Sequence, residues 1–132
     1  MAYRSMISAA VFMAALVAFG TSSEAARRSG GGDSTSRACL GSEIRSVLAR
    51  VEAKFGRVNV VSTCRPGARI AGTGRLSRHA TGDAVEFRAP GRKREVIKWL
   101  IANHHSGGIM TYRGMDHIHV DVGYRFISLA NR

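Results

Sequence analysis

Ser77-Arg78-His79-Ala80-Thr81-Gly82-Asp83-Ala84-Val85-Glu86, taken with Asp116-His117-Ile118-His119 near the end of the chain, decides how the rest is read. Each half carries histidine and a carboxylate at fixed spacing, and neither alone supplies enough donors for a catalytic metal. Together they offer His79, Glu86 and His119 as three ligands, with Asp116 left over as a base. Three protein donors and one open position is the arrangement of a hydrolytic zinc centre.

Working outward, the second half lies in a run where His117, His119 and Asp121 alternate with Ile118, Val120 and Val122. Period-2 geometry puts the polar side chains on one sheet face and the apolar ones against a core. Taken alone, that polar face is a metal-binding surface, a hydrogen-bonded histidine pair or a solvated sheet face. Asp121 on it is either a partner of His119 or a surface charge. Gly82 to Phe87 reads as another strand, as do Arg57 to Thr63 and Ile109 to Tyr112. Leu40, Ile44, Val47, Leu48, Val51 and Phe55 follow helical spacing, with Gly56 where a C-terminal cap belongs. Val96, Ile97, Leu100 and Ile101 form the apolar stripe of a second helix from about Arg92 to His104. Trp99 beside that stripe reads as core rather than a sugar platform. His104 and His105 read as structural, closing a helix where a cation complements the dipole. The order helix, strand, strand, helix, strand, strand predicts a single α+β domain, a small antiparallel sheet flanked by two helices. Between Cys64 and Arg78 the chain is unpatterned and holds Arg65, Arg69, Arg75 and Arg78. A loop of that length in a small domain points to function.

The 132 residues suffice for one core. Residues 1–25 have the layout of a secretory signal: Arg4, an uncharged run from Met6 to Gly20, and Ser23-Glu24-Ala25 before the cleavage point. The alternative is an uncleaved anchor, for which the apolar run is short against the roughly 20 residues of a membrane span. Export to a periplasmic or wall-facing compartment is the expectation, with no stable membrane insertion once the signal is removed. Residues 26–37, Gly- and Ser-rich, are expected to be a disordered linker, and 38–132 the domain. In an oxidising compartment Cys39 and Cys64 can form a disulfide worth about 3 kcal/mol; the alternative is two free thiols. Losing Arg4 and Glu24 leaves the net charge at +11. Such a balance speaks of anionic partners. A nucleic-acid motif is absent, and three Tyr, five Phe and one Trp leave few stacking platforms, so nucleic acid is not the expected partner.

The pattern Ser-x-His-x-x-Gly-x-Ala-x-(acid), followed by (acid)-x-x-His, resembles the zinc D-Ala-D-Ala carboxypeptidase and endopeptidase family, peptidase family M15, whose relatives include VanX-type dipeptidases. The likeness runs from about Val58 to Val122. It implies the family's hedgehog/DD-peptidase-like fold, zinc as cofactor, and peptidoglycan stem or cross-link peptides as substrate. Residue by residue, it implies His79 and His119 as histidine ligands and Glu86 as the carboxylate ligand. Asp116 falls on the catalytic carboxylate, Arg65 on an arginine facing the active site, and His117 on the outer histidine of a His-x-His pattern near the developing oxyanion. Ser77 is implied to order the loop.

Glu86 departs from the pattern, because the family usually carries aspartate there. One more methylene moves the carboxylate outward by about a bond length and requires the backbone to sit farther back. Zinc accepts glutamate in His2Glu sites. Two readings compete besides the peptidase: an M15-like wall-binding module without turnover, suggested by Glu86 and the charge, and a dipeptidase acting on free D-Ala-D-Ala.

Overall fold

The computed structural model describes residues 34–130. The expected signal and residues 26–33 of the expected linker lie outside the described residues. Two helices, α1 (Ser42–Phe55) and α2 (Lys93–Asn103), accompany five strands: β1 (Asn59–Ser62), β2 (Ala84–Arg88), β3 (Gly108–Thr111), β4 (Ile118–Asp121) and β5 (Phe126–Ser128). The sheet order is β1-β2-β4-β3-β5. The α+β class agrees with the sequence. The first four strands pair antiparallel, whereas β5 joins β3 in parallel, which makes the sheet mixed.

Alternation divides the sheet as the sequence implies. Val85 faces Val120 and Phe87 faces Ile118 on adjacent strands, and all four are buried. They share one apolar cluster with Ile44, Val47, Leu48 and Val51 of α1 and with Val96 and Leu100 of α2. Both helices therefore cover the same face. Trp99 packs at the rim of this cluster, edge-on to Phe55 at 6.0 Å between ring centres. On the opposite face Glu86 stands directly across from His119, and Met110 across from His119 on the other side. A register shift in β1 between Val60 and Ser62 marks a bulge where that strand meets Glu86, so Ser62 rather than Val61 pairs with it.

The disulfide expected between Cys39 and Cys64 is present, with a Cα separation of 6.2 Å. It ties the start of α1 to the end of β1. Residues 34–37, expected to belong to the linker, are held here too. Thr63 donates from N and Oγ1 to Ser34 O, and Arg37 makes a paired ion pair with Glu52 at 2.7 and 2.8 Å. Gly82 completes the junction at φ +76°. A Cβ there would lie 2.5 Å from the Cys39 carbonyl oxygen, so no side chain fits. Among the described residues no helix is long and apolar enough to cross a membrane.

Candidate metal centre

Three separate pieces of chain bring the donors together. A single 3-10 turn, Arg78–Ala80, carries His79, and Ser77 caps it by accepting from His79 N at 3.3 Å. The turn is fastened to the end of β1 by Arg65 N donating to His79 O at 2.9 Å. Central strands β2 and β4 supply Glu86 and His119. All three side chains are buried, and their donor atoms lie within 4.8 Å of one another. Nε2 of His79 is 3.3 Å from Nδ1 of His119, and Oε1 of Glu86 is 3.6 Å from each. A tetrahedral ion with bonds of about 2.0–2.1 Å would hold its donors about 3.4 Å apart. The three atoms thus already stand on one face of such a tetrahedron. Even with its extra methylene, Glu86 places Oε1 equidistant from both imidazoles.

The remaining ring nitrogens are fixed. His79 Nδ1 lies 2.5 Å from the Thr63 carbonyl oxygen, and His119 Nε2 lies 3.2 Å from Asp121 Oδ2. Outer partners of this kind set the ring orientation and the tautomer of a metal-binding histidine. Of the two readings open for Asp121, the structure selects the partner of His119. The residue is buried, and its other oxygen accepts from Gly108 N at 2.7 Å. Asp121→Asn is expected to keep the fold and weaken metal binding by about 10–100-fold. Zinc competition titration against a chelating dye would measure this; unchanged affinity would return Asp121 to a purely structural role.

Electrostatics favour a cation at this point. Burial alone would raise the Glu86 carboxyl. Hydrogen bonding to His119 and His79, with the charges of His79 and His117, outweighs it and holds the group well below the usual carboxylate range. Burial likewise works against a proton on His119, yet its bonds to Asp121 and Glu86 leave that group raised. An ionised carboxylate between two imidazoles is thus a pocket that protons and metal ions compete for.

Arg65 reaches over the cluster with Nη2 3.9 Å from Glu86 Oε1. His117, buried and with its imidazole lowered by that burial, has Nε2 3.9 Å from Glu86 Oε2. Asp116 stands apart from these. It is exposed on the loop entering β4 and lines a second cleft, while His79 and His119 line the first. Two participants were not singled out from the sequence. Thr63 contributes a backbone carbonyl, for which no side-chain signal exists. Tyr112 donates from its hydroxyl to Glu86 Oε1 at 3.3 Å, and burial and the Glu86 charge push it up to about 12, so it stays a donor. Alternation through β3 puts residue 112 on the face of Met110, which was the available signal. His104 is structural, as expected, but through burial rather than the helix dipole: its Nε2 lies 2.7 Å from the Asp121 carbonyl oxygen.

His79 on its 3-10 turn, His119 on β4 and the Glu86 carboxylate between them form a group that could hold a metal ion. A family model described as Peptidase M15 matches residues 19–121, and the chain belongs to that family. Neither the curated proteins nor the solved structures yield a match.

Proposed function

We propose that the protein is an exported, zinc-dependent peptidase that hydrolyses D-Ala-containing or cross-link peptide bonds of peptidoglycan. The observation carrying this reading is the near-tetrahedral spacing of His79 Nε2, Glu86 Oε1 and His119 Nδ1 in a member of the Peptidase M15 family. When bound, zinc supplies Lewis-acid polarisation of an amide carbonyl and activation of water. His79, Glu86 and His119 would hold the ion. Asp116, reaching in from the adjoining cleft, would accept the proton of the attacking water and return it to the leaving amine. Arg65, a permanently charged planar fork beside the cluster, stabilises negative charge on the carbonyl oxygen or holds a substrate carboxylate. His117, on the same face, donates toward the developing oxyanion. The signal-like residues 1–25 and the +11 charge support an anionic, wall-facing setting.

The test is digestion of purified sacculi by the protein before and after chelation. Activity is expected to vanish with EDTA and to return with about one equivalent of zinc per chain. Activity that survives chelation would sink the mechanism. Zinc uptake without release of any peptide would favour the wall-binding module instead.

A further inference from the structure

Two clefts adjoin at Tyr112, and the ligand cluster opens into the first of them. The first, of about 1100 Å³, has His79 and His119 in its wall together with Arg65, Arg69, Arg75 and Arg78. The second, of about 890 Å³, has Asp116 in its wall together with Lys93, Arg94, Lys98 and Arg113. Tyr112 lines both, and its hydroxyl is bonded to Glu86. Neither cleft is confined to one residue's worth of space, since whole drug-sized ligands occupy about 300–1,000 Å³.

Charge is unbalanced on both sides. Among the described residues no carboxylate lies within ion-pair distance of Arg69, Arg75, Arg78, Arg94, Lys98 or Arg113. Two carboxylates line the clefts. Asp121 is committed to Gly108 and His119, and Asp116 lines the second cleft only. Between the cations each cleft exposes apolar surface: Ile70, Leu76 and Tyr124 in the first, Met115 and Leu129 in the second. A ligand with one negative end would need a single cationic wall. Cations on both sides suit a chain with acids on both sides.

We propose that the two clefts form one continuous groove that binds an acidic polypeptide segment across the metal centre, with carboxylates on both sides of the bond to be cut. The protein then acts within a chain rather than at a free end. This rests on the peptidase reading for its chemistry: water adds across one amide, the acyl carbon gains the hydroxyl, and the amine leaves with the proton. The groove itself rests only on shape and charge.

Binding tests it apart from hydrolysis. The probe is an end-blocked, fluorescent decapeptide with glutamates in both halves, followed by anisotropy on the full chain with and without zinc. Its glutamine counterpart and a half-length glutamate peptide serve as comparisons. The glutamate decapeptide is expected to bind at least about 10-fold more tightly than the glutamine one, with affinity falling as salt rises. Arg75→Glu in the first cleft and Lys98→Glu in the second, both exposed positions, should each weaken the decapeptide about 5–10-fold. The half-length peptide should respond strongly to only one of them. Equal binding of the glutamine peptide overturns the proposal. So does a Lys98→Glu variant with undiminished affinity, or tighter binding of a single-stranded oligonucleotide of the same charge. Binding as expected keeps the groove whether or not this probe is cut, and the sacculus digestion then decides the peptidase reading. Cleavage without preference for acids keeps the peptidase reading and removes the groove.

Discussion

Glu86→Gln is expected to lower zinc affinity by at least about 100-fold, beyond the 10–100-fold typical of an outer partner. The substitution keeps the shape and removes the charge between His79 and His119. The same variant has a signature in the metal-free protein. The Glu86 carboxyl is held below its ordinary value of 4.5 in the fold, so it contributes stability above that pH, and the contribution is lost as pH falls below it. The wild type's advantage over Glu86→Gln should therefore be largest near neutrality and shrink below about pH 4.5. Denaturant midpoints across pH would measure it. A gap that widens in acid would mean the carboxyl is not ionised in the fold. Glu86→Asp separates charge from reach. It keeps the anion but draws the oxygen back by about a bond length, and intermediate zinc affinity is expected. Affinity equal to or above the wild type's would show that the strand backbone here suits the shorter aspartate.

Asp116→Asn is expected to leave zinc stoichiometry unchanged and reduce turnover by about 10²–10⁴-fold, the range for losing a positioned proton carrier. The side chain lies on the loop entering β4 and lines the second cleft, outside the His79–Glu86–His119 cluster. Loss of metal together with activity would make it a structural support. An unchanged rate would shift the proton-carrying role elsewhere, with His117 beside Glu86 as the neighbouring candidate.

Periodic signals in the sequence translated well. Ile44, Val47, Leu48 and Val51 recur at helical spacing because one face of α1 must meet the sheet, and all four are buried. The alternation through His119 and Asp121 put both on the face opposite the core. What escaped depends on contacts distant in sequence. Strand β5 is three exposed residues whose parallel pairing with β3 has no local signature. The choice between partner and surface charge for Asp121 turned on Gly108 N, which only folding brings near. The holding of residues 34–37 depends on Thr63 and Glu52, so their linker-like composition misled. Asp116 kept its spacing from His119, but the turn before β4 directs it to a different cleft, and turn geometry is what periodicity cannot read.

Glu86 and His119 are direct cross-strand partners, and that pairing bears on how the chain finds its fold. A one-residue slip between β2 and β4 would exchange the two faces of a strand and bury a ligand among Phe87 and Val120. Zinc adds stability only to the arrangement that presents all three donors together. The ion would thus act during folding as a selector of strand alignment, rewarding the correct ladder over its near misses before any substrate is met.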